Sequence, residues 1–275
     1  MKYNNETSLD HLAPWRVVIA GDWHGNRHWA TTAIRRAHEV GADFIVHVGD
    51  FGYNFDRASK DGYVFNEPVQ KALKKYDMNI VWIDGNHDNH AWLNQLPVRP
   101  DGFVQTGSGG RVFWAPRGHR WTWSGLRFGA LGGAFSVNAS VLTEGLSLFA
   151  ELEDVKQEDV DKLGKDNLDV LLTHDIPLGV PVHKFFTITD AREDSAVATR
   201  KKILEAVNNT RPEYSFSGHW HQRLQYDFVR DSDGGITKQH ILDRETKNGN
   251  LVVFDLFDRS VSPINDFPNF SNIDG

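Results

Sequence analysis

The chain has 275 residues, with hydrophobic residues at 40%, charged residues at 24% and a formal net charge of −7. That balance excludes a disordered polar chain and provides no bulk attraction for polyphosphate backbones. Cysteine is absent, which excludes disulfide staples, thiolate nucleophiles, iron–sulfur clusters and Cys-ligated zinc; any metal must be held by His, Asp, Glu or Asn. Met1 to Pro14 is polar, with no basic segment leading into an apolar run, and no later stretch nears the ~18 apolar residues of a membrane span. A soluble, cytoplasmic protein is expected, with no membrane partner and with one domain over 15–258 between tails at 1–14 and 259–275.

In chain order, short β-branched or aromatic runs alternate with amphipathic stretches, the pattern of an α/β fold. Arg16 to Ala20 reads as the first strand. Arg27 to Val40 follows as a helix with Ala30, Ala33, Ile34 and Ala37 on one face and Gly41 as its stop. Asp43 to Val48 is a second strand, Tyr63 to Tyr76 a second helix and Asn79 to Ile83 a third strand. Gly102 to Phe135 breaks its aromatic runs, Val112 to Ala115 and Trp121 to Trp123, with Gly and Pro, which predicts hairpins and an antiparallel turn of the sheet. The role of the Trp-rich segment 112–123 is open at this level. Leu168 to Thr173, a helix from about Ala196 to Val207, and Tyr214 to Ser217 complete the alternation. Gln225 to Val229, Gly235 to Leu242 and Leu251 to Leu256 then read as a closing meander.

Each of five strands is followed at once by residues able to bind metal. Gly21-Asp22-Trp23-His24-Gly25-Asn26 follows the first, Gly49-Asp50-Phe51-Gly52 the second and Asp84-Gly85-Asn86-His87-Asp88 the third. Thr173-His174-Asp175-Ile176-Pro177 and Gly218-His219-Trp220-His221 follow the last two. The carboxyl ends of parallel strands border the crevice where ligands bind, so these groups are expected to converge. Asp22 and His24, like His219 and His221, are one residue apart, which puts both side chains of each pair on one side of an extended segment. Carboxylate, imidazole and carboxamide together suit manganese, iron, zinc, cobalt or nickel better than calcium, and seven ligands exceed the needs of one ion. Each motif alone is unspecific: Asn86-His87-Asp88 reads equally as a turn, and Gly49-Asp50 as an ordinary strand exit. Five in order, each after an apolar run, is the coincidence that chance does not explain.

The series resembles the calcineurin-like metallophosphoesterase superfamily, whose five blocks correspond to Asp22/His24, Asp50, Asn86/His87, His174 and His219/His221. The resemblance implies a four-layer α/β/β/α sandwich of two mixed sheets flanked by helices, with two divalent metal ions, manganese foremost. It places Asp22, His24 and His221 on one ion, Asn86, His174 and His219 on the other, and Asp50 between them. It further implies in-line hydrolysis of a phosphate ester by a hydroxide shared between the ions, with His87 placed to protonate the leaving oxygen. Asp88 and Asp175 are expected to fix loops or orient ligands.

Protein phosphatases of the superfamily carry Gly-Asp-x-Val-Asp-Arg-Gly at the second block, where this chain has Gly49-Asp50-Phe51-Gly52-Tyr53-Asn54-Phe55. Gly49-Asp50-Phe51 and His174-Asp175-Ile176-Pro177 are similar to blocks of lariat debranching enzymes. A phosphodiesterase on a nucleotide or nucleic-acid end is therefore the expected branch, with base stacking on Phe51, Tyr53, Trp114 or Trp220. A local basic cluster of Arg111, Arg117, His119 and Arg120 offers contact to a second phosphate. The alternatives are a phosphomonoesterase, including a protein phosphatase, and a catalytically silent scaffold that binds another protein.

Overall fold

A computed structural model describes residues 8–52, 63–107, 109–136, 150–183 and 190–264. Among these the chain runs β1 (Arg16–Ala20), α1 (Arg27–Glu39), β2 (Phe44–His47), α2 (Tyr63–Tyr76), β3 (Asn79–Trp82), α3 (His90–Leu93), β4 (Val104–Gln105) and β5 (Val112–Trp114). It continues through β6 (Arg120–Trp123), β7 (Leu126–Leu131), α4 (Ala150–Glu153), α5 (Gln157–Leu163), β8 (Val170–Thr173), α6 (Asp190–Thr210) and β9 (Tyr214–Ser217). It ends with β10 (Leu224–Val229), β11 (Ile236–Ile241), β12 (Leu251–Asp255) and β13 (Val261–Pro263). All five expected ligand-bearing strands are present within two residues of their expected ends.

The strands form two mixed sheets, ordered β13-β12-β1-β2-β3-β5-β4 and β10-β11-β9-β8-β7-β6. Strands β1, β2 and β3 are parallel in the first sheet, and β7, β8, β9 and β11 in the second. Alternation along each strand builds the layers. Val17, Ile19, Phe44, Val46, Val81 and Ile83 face Val170, Leu172, Tyr214 and Phe216 in a core between the sheets. The alternate residues Val18, Ala20, Ile45, Ile80 and Trp82 pack under Trp29, Ala33, Ile34 and Leu73 of α1 and α2. Beyond the second sheet, Leu171 and Ile241 meet Val160 of α5 and Ile203, Ala206 and Val207 of α6. The α/β/β/α order is the direct result.

Helix α1 shows how local sequence supports this. The Asn26 side chain accepts from the Trp29 amide as N-cap, and Ala30, Ala33, Ile34 and Ala37 give a small-residue face that lies close on the sheet. Among the described residues no helix is long and apolar enough to cross a membrane.

The hairpins expected between Gly102 and Phe135 form, β4 with β5 and β6 with β7, and one expectation is corrected. The closing strands are not one meander: β10 and β11 form a hairpin in the second sheet, whereas β12 crosses to the first and pairs antiparallel with β1. Turn-rich loops mark strand ends but do not say which sheet comes next. At the tails, β13 pairs with β12 and Ile264 is buried. Leu9 is also buried; its amide donates to Asp101 at 2.9 Å and its carbonyl accepts from Trp123 Nε1 at 2.7 Å. Isolated apolar residues such as Leu9 and Ile264 carry no period, so the sequence leaves them as tail. In the Trp-rich segment, β5 stays in the first sheet while β6 and β7 form a hairpin at the edge of the second. Trp121 and Trp123 fill the inter-sheet core against Phe103, Phe44 and Phe128.

Candidate metal centre

The parallel strands of both sheets end on the same side, and their exit loops turn sharply. His24, Asp50, His219 and His221 all have φ between 44° and 64°, a left-handed conformation that is costly for residues with a Cβ and concentrates at functional sites. Gly49, at φ 99°, is where no side chain fits, since a Cβ would sit 2.3 Å from His174 Nδ1. The Asp50 carbonyl accepts from the Trp23 and His24 amides at 3.0 and 2.9 Å, and its carboxylate accepts from the His87 amide at 2.9 Å. Three of the exits are thereby tied to one another.

Two groups of donor atoms result: Asp22, His24 and His221, and Asp22, Asp50 and His174, the atoms within each lying within 4.8 Å of one another. His221 Nε2 is 3.1 Å from Asp22 Oδ2, and His24 Nε2 is 3.4 Å from Asp50 Oδ2. His174 Nε2 is 3.4 Å from Asp50 Oδ1 and 3.2 Å from Asn86 Oδ1. Asn86 thus joins the second group with its carboxamide oxygen inward, because its Nδ2 donates to Ser136 Oγ at 3.0 Å. His219 is brought alongside rather than into a group. Its ring centroid is 5.2 Å from that of His174, and its amide donates to Asp22. The half-buried ring of His87 lies 6.2 Å from that of His24.

The electrostatics favour cations. Asp22 and Asp50 are 0% and 2% exposed, and among the described residues their ion pairs are with histidines. Burial opposes ionisation of Asp22, but the His221 hydrogen bond and the His174 charge outweigh it and its carboxyl titrates below the usual range. Asp50 is driven lower still, as His174 and His87 overcome its burial. Against their own burial, His24 is raised to about 11 by Asp50 and Glu245, and His174 to about 10, chiefly by Asp50. Burial instead lowers His219 to about 4. Two buried carboxylates therefore draw positive charge to this point, carried here by protons on His24 and His174 that a divalent ion would displace. A donor set of this kind fits divalent ions.

The surrounding contacts aim the ligands. A carbonyl only accepts, so His174 Nδ1, 2.7 Å from Val48 O, carries the proton and leaves Nε2 toward the group. The Asp88 carboxylate accepts from the amides of Gly85 at 2.8 Å and Gly52 at 3.0 Å, joining the second and third exits. Asp175 accepts from Trp220 Nε1 at 2.8 Å. Sequence reasoning missed Ser136, Glu153, whose carboxylate accepts from the Ser136 amide at 3.0 Å, and Glu245, which lies 2.8 Å from His24 Nδ1. None sits beside a strand exit motif, and no local signal marks them.

Other expected contacts are not there. Phe51 is buried among Trp23, Trp82 and Phe65. Trp114 is buried and donates to Asp84 at 3.0 Å. Neither can stack on a base, because both point into the α-side core. Tyr53 lies outside the described residues. The basic cluster is dispersed: Arg117 binds Asp84 at 2.7 Å, Arg111 pairs with Asp77 at 2.8 Å, and Arg120 is spent on the carbonyls of Leu163, Asp166 and Asn167. His119 is packed against Phe103 and Trp121. Trp220 keeps partial exposure, with Arg200 5.2 Å from its ring.

Among solved structures, the fold is similar to TT1561 of Thermus thermophilus, with a TM-score of 0.55 at 14% identity over 92% of this chain and 99% of that one. A dimetal phosphatase from Danio rerio is similar at a TM-score of 0.52 and 11% identity, covering 90% and 94% of the two chains. No curated protein matches the sequence significantly. The sequence model of the calcineurin-like phosphoesterase family matches residues 16–223, from β1 to just past His221, and on that match the chain belongs to the calcineurin-like phosphoesterase family.

Proposed function

We propose that the protein is a hydrolase with two divalent metal ions, manganese foremost, that cleaves a phosphodiester of nucleotide type and, as its sequence suggests, works in the cytoplasm. The observation that carries the reading is the two adjoining donor groups, with Asp50 3.4 Å from His24 of the first and 3.4 Å from His174 of the second, built from residues up to about 200 positions apart in the chain and backed by family membership. Asp22, His24 and His221 would hold one ion, Asn86, His174 and His219 the other, and Asp50 would face both. Bound there, the ions would supply Lewis-acid polarisation of phosphate oxygens and acidification of water.

The chain's own groups do the rest. Asp22 and Asp50 concentrate negative charge where the cations belong, and the main-chain ties among the exits keep their carboxylates from turning away. His87, anchored through its amide to Asp50, is the proton donor to the departing oxygen, a role worth typically ~10² to 10⁴-fold. The diester preference is supported by the departure of Gly49-Asp50-Phe51-Gly52 from the protein-phosphatase block and by Trp220, an aromatic beside the ligands that retains exposure.

Metal-stripped protein reconstituted with manganese is to be assayed on bis-p-nitrophenyl phosphate and on p-nitrophenyl phosphate. Faster turnover of the diester is expected. Faster turnover of the monoester would replace this reading with a phosphomonoesterase, and no turnover of either would favour a binding scaffold.

A further inference from the structure

The loop from Asp243 to Asn250 joins β11 to β12 and lies beyond the residues that match the family. Asn250 is buried and clamps this loop to the exit of β1. Its Nδ2 donates to the carbonyls of Asp22 at 3.2 Å and Asp243 at 2.7 Å, and its Oδ1 accepts from Trp29 Nε1 at 2.8 Å and Trp23 Nε1 at 3.2 Å. Its own carbonyl accepts from the Gly21 amide at 2.9 Å. Gly21 has no room for a side chain here, since a Cβ would meet the Asp243 carbonyl at 2.4 Å. The loop is therefore pressed onto the backbone that presents Asp22 and His24.

The clamp delivers Glu245. Its Oε2 is 2.8 Å from His24 Nδ1, and both side chains are 17% exposed. A carboxylate only accepts hydrogen bonds, so this contact requires the proton on Nδ1 and turns Nε2 toward Asp22 and Asp50, 3.9 and 3.4 Å away. His174 is oriented differently, by the main-chain carbonyl of Val48. His24 and His174, which both face Asp50, thus depend on different kinds of support, one on a replaceable side chain and one on the backbone.

We infer that Glu245 is a positioning residue for the ion held by Asp22, His24 and His221, fixing the tautomer and orientation of His24 from outside the family-matched span. The inference rests on the reading of His24 as a metal ligand. Carboxylates placed behind a ligating histidine typically change metal affinity by roughly 10- to 100-fold.

The test uses the full chain with zinc as probe, combining calorimetric titration with ¹⁵N-resolved NMR of the histidine rings. In wild type, two zinc ions are taken up and His24 shows a protonated Nδ1 with a slowly exchanging proton. In Glu245→Ala, affinity for one ion falls by roughly 10- to 100-fold, the His24 Nδ1 proton is lost to exchange, and the ring signals of His174 are unchanged. Glu245→Gln, which keeps an acceptor without the charge, retains the Nδ1 proton and has intermediate affinity. Unchanged affinity and an unchanged Nδ1 proton in Glu245→Ala would overturn the inference alone. Absence of zinc uptake by wild type would overturn the metal centre as well.

Discussion

The two ends of the parallel strands handle buried and half-buried carboxylates in opposite ways. At the amino ends, Asp255 pairs with Arg16 at 3.1 Å, Asp169 with Arg127 at 2.9 Å and Glu213 with Arg259 at 2.7 Å, all with the charge balanced within the chain. At the carboxyl ends, Asp22 and Asp50 are more deeply buried and meet imidazoles instead of arginines. Arg117, which approaches the chain's third exit, is committed to Asp84. Those three amino-end carboxylates are matched by arginines; Asp22 and Asp50 rely on imidazoles, whose charge is conditional, and are suited to positive charge supplied from outside. Buried carboxylates without a permanent counter-charge cost stability that a bound cation offsets, so the contrast points to the carboxyl end as the functional one.

Removing those ligands gives the largest effect. Asp50→Ala or His174→Ala is expected to lower manganese-supported turnover to below roughly a thousandth, while circular dichroism of the metal-free protein stays that of a folded chain. Full activity in either variant would break the contrast. His87→Ala is expected to cost ~10² to 10⁴-fold in turnover with metal content, measured by elemental analysis, unchanged. Loss of metal there would make His87 a ligand rather than a proton donor.

Stability effects are smaller and sharpen the contrast. Asn250→Ala removes the side chain that satisfies two indole N–H groups and two carbonyls at the site end; denaturant titration should show a loss of about 2 to 4 kcal/mol. His240, buried against Phe216 and Tyr214 with Arg223 at 3.2 Å, is lowered from 6.5 to about 3, first by burial and then by Arg223 and Lys238. Between those values the unfolded chain holds the extra proton, so stability present above about 6.5 is lost as pH falls toward 3, with a slope approaching about 1.4 kcal/mol per pH unit. His240→Gln should flatten the fall between about pH 6 and pH 4 in denaturant titrations; an unchanged slope would assign the acid sensitivity elsewhere. At the amino end, Arg127→Ala removes a half-exposed pair and should change stability by less than about 1 kcal/mol with no effect on turnover.

The ligand-bearing strands were legible because each ligand comes after an apolar run, and parallel strands deliver their exit residues to one edge. That rule needs no knowledge of which sheet a strand joins, which is why His174 and His219 of the second sheet could be read together with Asp22, Asp50 and Asn86 of the first. Sidedness was not legible. Phe51 and Trp114 lie near ligands or ligand-bearing strands, but alternation puts their rings in the layer under α1 and α2. Arg111, Arg117 and Arg120 are near neighbours in the chain, yet turns separate them onto different partners. Ser136, Glu245 and Asn250 lie in loops without periodicity, and only tertiary contact shows which groups they hold.

The most direct test is crystallography of manganese-loaded protein with anomalous scattering. Two peaks about 4 Å apart are predicted, one among Asp22, His24 and His221 and the other among Asn86, His174 and His219, with Asp50 between them. No peak at these side chains, or manganese bound only elsewhere on the surface, would contradict the assignment of the carboxyl end as a metal centre.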